Sequence, residues 1–310
     1  MTYVSKQFYR FWKVVVYTIL RKLVRQMTSN LKMKKRIAVV KKINFFLYAP
    51  WLRIRKRIHQ ENIYQLNELD LTDGFFQADA SNIPFVEDAV NDCKDILTSS
   101  VERVKKTYLV NHLEYEKLPD YKGLLRFCTS PILVGTAAKY LGEFPVISGI
   151  EVWNSPPSEL NKSGLTGSQK FHLDNVDSRQ LKVFLNLSDI SEDNGPFSFI
   201  SASHSKKVTT ELKYGQTKNV ERLEDDSVYS LVDRSNLKQN IGSSGCVTGI
   251  DTCQCLHYGS RNCTQGRQLL MVQFTSIARA DSRPLEIPSA SENYGSEYLN
   301  LLFNPFYVPK

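Results

Sequence analysis

The sequence predicts a mainly β fold with flanking helices, organised as a β-sandwich or jelly roll, and three observations lead there. After Pro145 the chain becomes a series of short β-rich runs: VISGIEVW, LKVFLNLSD, FSFISAS, GCVTGIDT and LLMVQFTSIA. Clusters of Gly, Asn, Asp, Ser and Pro separate these runs, and no long helical pattern comes between them. The 310 residues are 42% hydrophobic and 11% aromatic, enough apolar material for a sizeable core in one large or two modest domains.

Residues 6–25 place Phe8, Phe11, Trp12, Val15, Ile19 and Leu23 at helical spacing, with Lys and Arg between them, so a basic amphipathic helix is expected. A second basic segment runs from Lys32 to Lys42, followed by the aromatic run NFFLYAPWLRIRKR. Residues 62–80 read as a polar linker ending near Asp73-Gly74. From Val86 to Lys106, Ala89, Cys93, Ile96, Leu97, Val101 and Val104 mark one helical face, with Pro84 and Glu87 near its start. A shorter helix is expected from Pro131 to Leu141, stopped by Gly142. Residues 206–242 form a long polar insertion with a weak strand signal at VYSLV. The Pro- and aromatic-bearing tail from Arg283 is expected to pack over the body in extended form. The chain thus divides into an N-terminal arm (1–60), a linker and helical flank (61–145), a β core (146–280) carrying the 206–242 insertion, and a tail (281–310).

Charge separates the arm from the rest. Residues 1–60 hold 16 of the 40 Lys and Arg and no acid, so the net charge of +8 hides a mildly acidic body. Several readings of the arm compete: an interfacial helix on an anionic membrane surface, a face packed on the body, a targeting peptide and, least favoured, a nucleic-acid contact. No stretch of about 18 apolar residues is present, so no membrane-spanning helix is expected. Six scattered cysteines and no secretory signal suggest a reduced, cytoplasmic protein, peripheral at a membrane if the arm binds one. Cys253-x-Cys255-x-His257 lacks the second ligand pair of a structural zinc site.

The chemistry concentrates in His172-Leu173-Asp174, answered by His257 and then Arg267. Two imidazoles and one carboxylate form the ligand set of non-haem Fe(II) oxygenases, which leaves metal positions open for a 2-oxo acid and O2. In a strand, residues 172 and 174 face the same side. Arg267, ten residues after His257, has the planar fork to hold a distal carboxylate in two parallel hydrogen bonds. Taken singly, His-x-Asp is a common chance pattern, His257 could be a core histidine and Arg267 a surface residue. The reading rests on all four occurring in order within the β-rich region. No phosphate-binding Gly-rich loop, Gly-x-Ser-x-Gly or His-Glu-x-x-His competes with it.

SQKFHLDNVDSRQLKVFLNLSDISEDNGPFSFISASHS (168–205) and DTCQCLHYGSRNCTQGRQLLMVQFTS (251–276) resemble the two site motifs of the phytanoyl-CoA dioxygenase-like family. YLGEFPVISGIEVWNSPP (140–157) is similar to the strand leading into that family's site, and Asn194-Gly195-Pro196 to its turn between motifs. The resemblance spans roughly residues 85–280. It implies a double-stranded β-helix of jelly-roll, cupin-like form, with Fe(II), 2-oxoglutarate as co-substrate and O2. It implies His172, Asp174 and His257 as metal ligands, Arg267 as the co-substrate clamp, and Ser260 as a further 2-oxoglutarate contact that reads equally as a turn residue. Relatives that halogenate lack the carboxylate found here at Asp174, so hydroxylation of a small-molecule substrate is expected.

Some positions stay open. Trp153 is assigned to the co-substrate pocket and Gln169 to the pocket, with barrel packing the equal alternative for both. Asp177 reads as a partner for a ligating imidazole or as a turn acid. Lys182, an unusual charge in LKVFLNL, faces the barrel or snorkels from an edge. Ser201-Ala202-Ser203-His204 departs from the family's Pro-Gly-Ser-His, and His204 reads as structural. The alternative function is a non-catalytic or oxo-acid-independent barrel recruited to a membrane surface by its basic arm.

Overall fold

In the computed structural model of the protein the described residues are 23–24, 26–28, 31–99, 103–106, 109–157, 165–216, 222–280 and 296–309. The amphipathic helix expected over 6–25 lies almost wholly outside them. The second basic segment and the aromatic run form two consecutive helices, α1 (Met33–Leu47) and α2 (Ala49–Glu61). Pro50 occupies the first turn of α2, where a missing N–H costs little, and Asn62 ends it in the left-handed conformation at φ 47°. Helix α2 is built into the body. Leu52 and Ile58 are buried, and the Arg55 guanidinium donates to the carbonyls of Phe144, Pro145, Leu301 and Asn304 at 2.7–3.1 Å. Helix α1 is more open, and its Phe46 is 82% exposed.

Asp73 and Gly74, both at positive φ, turn the chain into β1 (Phe75–Ala78). The helix expected over Val86–Lys106 ends earlier, as α3 (Val86–Ser99). Further along that span Arg103–Lys106 forms β2, which pairs with β3 (Leu109–Asn111), so sheet pairing overrides helical spacing at those residues. Helices α4 (Lys122–Cys128) and α5 (Pro131–Leu141) follow. Gly142 stops α5 at φ 72° and donates to the Ala138 carbonyl at 2.8 Å.

The β core holds β4 (Val146–Ser155), β5 (Leu181–Asn186), β6 (Ser198–Phe199), β7 (Lys238–Gln239), β8 (Val247–Ile250), β9 (His257–Tyr258) and β10 (Arg267–Thr275). Within the insertion lie most of α6 (Ala202–Glu211) and all of α7 (Asp225–Tyr229). The strand signal of VYSLV is overturned: the segment finishes α7, where Asp225 and Asp226 suit a helix N-terminus. The tail is not extended throughout, because Glu297–Phe303 forms α8, capped by Ser296 accepting from the Leu299 N–H at 3.2 Å.

An antiparallel seven-stranded sheet runs β1-β8-β5-β10-β4-β3-β2, and a small sheet runs β7-β6-β9. Alternation along the strands makes two cores. On one face of the large sheet, Val152, Val183, Leu185, Leu270 and Val272 pack with α3, α4 and α5. On the other, Phe184, Leu269 and Met271 meet Phe197 and Phe199 of the small-sheet side. This is the expected jelly-roll arrangement of facing sheets with helices outside. The same alternation turns Glu151, Trp153 and Lys182 toward the space between the sheets.

Candidate metal centre

His172 and His257 exchange both backbone hydrogen bonds, N–H to O at 3.0 Å in each direction. That is the hydrogen-bonded pair of an antiparallel ladder, and it sets two side chains side by side on one face. Their ring centroids lie 4.3 Å apart. Asp174 is fixed by its own N–H, which donates to the Thr252 carbonyl at 2.8 Å. As a result Asp174 Oδ1 stands 4.0 Å from His172 Nε2 and 3.8 Å from His257 Nε2. These three are the group among the described residues that meets the spacing for holding a metal ion. The expected convergence is present, although residues 172–174 are a bridge and a loop, not a full strand.

The ring orientation is set from behind. His172 Nδ1 lies 2.9 Å from the Lys170 carbonyl, and His257 Nδ1 lies 3.0 Å from the Cys255 carbonyl. A carbonyl can only accept, so each Nδ1 carries the proton and each Nε2 presents a lone pair toward Asp174. Burial is the main force keeping both rings neutral, and it pushes the His172 pKa down to about 2; the His257 pKa is lowered as well. Asp177 does not orient an imidazole, which corrects that expectation. Its carboxylate pairs with Lys41 at 3.0 Å and accepts from the Ser178 N–H at 2.7 Å, tying α1 to the site loop.

Asp174 Oδ2 accepts three hydrogen bonds: from Lys182 Nζ at 2.7 Å, Thr252 Oγ1 at 2.7 Å and Gln180 Nε2 at 3.1 Å. Burial opposes ionisation of Asp174, but the charge and hydrogen bond of Lys182 outweigh it and hold the carboxyl far below its usual range. Oδ1 accepts none of these bonds and faces the two imidazole Nε2 atoms. Lys182 faces the barrel, as one reading had it, and meets this carboxylate. Gln180 and Thr252 were not singled out from the sequence. The Gln180-x-Lys182 alternation at the start of β5 was the available signal, since both side chains reach Asp174. Arg222, from the insertion, is also near enough for its charge to lower the pKa of both histidines, and nothing in its sequence setting marked it.

Arg267 opens β10 and is buried. Its Nη1 donates to the Gly195 carbonyl and its Nη2 to Ser260 Oγ at 3.0 Å, while Nε has no partner. No carboxylate pairs with it among the described residues. Burial lowers its pKa only to about 10, so it stays charged at neutral pH. Ser260 holds a left-handed conformation at φ 57°, which aims its hydroxyl back at Arg267 and toward Ser155 Oγ, 3.4 Å away.

The remaining expected residues are placed as follows. Gln169 is a strut: its Nε2 donates to the Ser260 carbonyl at 3.0 Å, and its Oε1 accepts from the Thr166 N–H at 3.1 Å. Trp153 lies between the sheets beside Phe184, with its indole N–H donated to Glu151 at 2.5 Å. His204 Nδ1 meets Ser201 Oγ at 3.0 Å on α6, away from the cluster. Cys253 and Cys255 are buried free thiols, and His257 turns to Asp174, so Cys253-x-Cys255-x-His257 makes no zinc site.

No family model matches the chain, and no curated protein matches it. Some solved structures are similar over part of the chain. The epimerase SnoN in complex with Fe3+, alpha-ketoglutarate and nogalamycin RO is 13% identical, with TM-score 0.44, over 65% of this chain and 78% of that one. EctD from S. alaskensis in its apo form is 15% identical, with TM-score 0.45, over 65% and 72%. EvdO2 from Micromonospora carbonacea var. aurantiaca complexed with 2-oxoglutarate is 16% identical, with TM-score 0.41, over 67% and 91%. The class defined by this chain's own fold and donor set is a jelly-roll protein with a two-histidine, one-carboxylate cluster.

Proposed function

We propose that the protein is an Fe(II)- and 2-oxoglutarate-dependent oxygenase, related to the phytanoyl-CoA dioxygenase-like proteins, that hydroxylates a small organic or lipid-linked substrate. The observation that carries this is the cluster itself: two neutral imidazoles with Nε2 turned toward one free carboxylate oxygen. The donor set fits Fe(II), with His172, Asp174 and His257 as its holders. Arg267 fits 2-oxoglutarate, because its guanidinium is buried, its Nε has no partner and no acid pairs with it among the described residues, a setting that suits a carboxylate. Ser260 would share that carboxylate.

Bound Fe(II), 2-oxoglutarate and O2 supply the oxidative decarboxylation, with succinate and CO2 as co-products and transfer of one oxygen atom to the substrate. The chain's own residues orient and exclude. The Lys170 and Cys255 carbonyls hold both imidazoles in one tautomer. Lys182, Thr252 and Gln180 occupy Asp174 Oδ2, so Oδ1 is the oxygen that would hold the metal. Phe184, Phe197 and Phe199 keep water from the space between the sheets. Anaerobic titration with Fe(II) and 2-oxoglutarate tests the reading by its visible charge-transfer band. The band is expected in the wild type and absent in His172→Ala; its absence from the wild type sinks the proposal.

A peripheral membrane contact is a second reading, favoured by the exposure of Phe46 (82%) and Phe45 (51%) on basic α1. It requires sedimentation with anionic liposomes that is lost at high salt and in Phe45→Ser/Phe46→Ser. No described helix is long and apolar enough to cross a membrane.

A further inference from the structure

We infer that the substrate is an anionic molecule with an apolar segment, and that α1 and α6 hold its anionic group above the metal centre. For the reaction, this rests on the oxygenase reading; for the binding, it does not. A cavity of about 650 Å3 opens between these two helices, and its floor is Leu173, Asp174 and Asn175. It therefore reaches a metal-holding residue from outside the barrel.

The wall from α1 follows from helical spacing. Residues 34, 37, 38, 41, 42 and 45 recur at three- and four-residue steps and share one face, and all line the cavity. The wall from α6 contributes Lys206, Thr209 and Thr210. Four lysines and two aspartates line the space. Both acids are already compensated: Asp177 pairs with Lys41, and Asp174 with Lys182 below the floor. Lys34, Lys42 and Lys206 are left, exposed and with no acid partner among the described residues. Residues 1–60 contain no acid at all that could pair with them.

Three ammonium groups around one cavity repel each other, and an anion between them relieves that repulsion. Lys34 and Lys42 stand two turns apart, about 12 Å along the axis, a span that can bracket an extended anionic group. Ile37 between them and Phe45 one turn beyond Lys42, with Leu173 on the floor, offer apolar contact. A phosphate or carboxylate joined to an alkyl portion meets both requirements. A neutral polar substrate would leave the lysines unused.

Calorimetric titration of the full chain at low salt tests this, with octyl phosphate, octanoate, octyl glucoside and inorganic phosphate as probes. At least one of the two anionic amphiphiles is expected to bind tenfold or more tighter than both octyl glucoside and inorganic phosphate. Which of them binds better distinguishes a phosphate from a carboxylate substrate. Lys34→Gln/Lys206→Gln is expected to weaken that binding at least tenfold. Ala38→Trp, which fills the groove at an exposed helix position without changing charge, is expected to weaken it as well. Equal binding of octyl glucoside, or wild-type affinity in both variants, overturns the inference. The iron and 2-oxoglutarate band is read in parallel. If the band fails while octyl phosphate binding is intact, only the oxygenase reading falls; the reverse result removes only this anion site.

Discussion

Lys182 Nζ and Asp174 Oδ2 meet at 2.7 Å in the space between the two sheets. Burial pulls the ammonium down, but Asp174 and Glu151 more than offset it and leave its pKa above the usual lysine value. The pair is thus ionised on both sides before any metal arrives. Removing the lysine leaves a buried carboxylate with only neutral donors, Thr252 and Gln180. Loss of one partner of a buried pair costs about 3–5 kcal/mol. Lys182→Met should therefore lower the melting temperature of the metal-free protein by on the order of 10 °C. A divalent metal then takes over the compensation, so the rise in melting temperature on adding Mn(II) should be larger in the variant than in the wild type. Calorimetric scans with and without Mn(II) check this. An unchanged metal-free melting temperature would contradict the pairing.

Arg267 makes a different kind of prediction, because it has no acid partner among the described residues. Leucine in its place removes a buried charge at the cost of two hydrogen bonds, to Gly195 and Ser260. Those terms oppose each other, so Arg267→Leu should shift stability by no more than about 2 kcal/mol. Binding of 2-oxoglutarate should be lost, while Mn(II) binding persists through the separate His172–Asp174–His257 cluster. Arg267→Lys keeps charge but not the fork, and should weaken 2-oxoglutarate about 10- to 100-fold. Calorimetric titration of each variant, with metal and then 2-oxoglutarate, gives the numbers. Co-loss of metal binding in the leucine variant would mean the two sites are one.

The sandwich and the ligand cluster were legible in the sequence for a physical reason. Strand alternation is a local pattern that a sheet converts directly into shared faces, whereas His172, Asp174 and His257 are brought together by the His172–His257 bridge and by the Asp174 N–H held on the Thr252 carbonyl. What escaped was decided by tertiary contact. Val104 falls at helical spacing, yet Arg103–Lys106 forms β2, paired with β3. VYSLV has strand propensity, yet it finishes α7 behind two aspartates. Nothing near Asp177 in sequence names Lys41 as its partner, because 136 positions separate them. Thr252 and Arg222 act on the cluster from distant segments for the same reason.

Gly135 inside α5 tests how tightly the helical flank is seated on the linker. A Cβ there would lie 1.9 Å from the Asn67 carbonyl oxygen. That atom belongs to the backbone, so relief requires moving either the helix or the chain at residues 66–67. Overpacking of this kind typically costs about 1–3 kcal/mol or more. Gly135→Ala should lower the urea midpoint without changing the charge-transfer band of the loaded protein, since α5 sits on the far side of the large sheet from the cluster. Wild-type stability in this variant would show that the linker is loosely held.

Asp251 supplies a pH dependence whose sign can be worked out. Burial is the main cause pushing its pKa up to about 7, against hydrogen bonds from Tyr140 Oη at 2.6 Å and the Cys253 N–H at 2.7 Å. An unfolded aspartate titrates near pH 4. Between about pH 4 and 7 the folded state keeps this proton while the unfolded state loses it. Through this group, stability falls as pH rises across that window, by up to about 1.4 kcal/mol per pH unit, and levels off above the folded value. Asparagine is neutral throughout and can still accept from Cys253. The stability of Asp251→Asn relative to wild type should therefore climb from pH 4.5 to pH 7 and stay constant to pH 8.5. Urea unfolding at four pH values across that range measures the difference. A difference that does not vary with pH would mean that Asp251 is ionised in the folded protein, with Tyr140 and the surrounding amides enough to hold its charge.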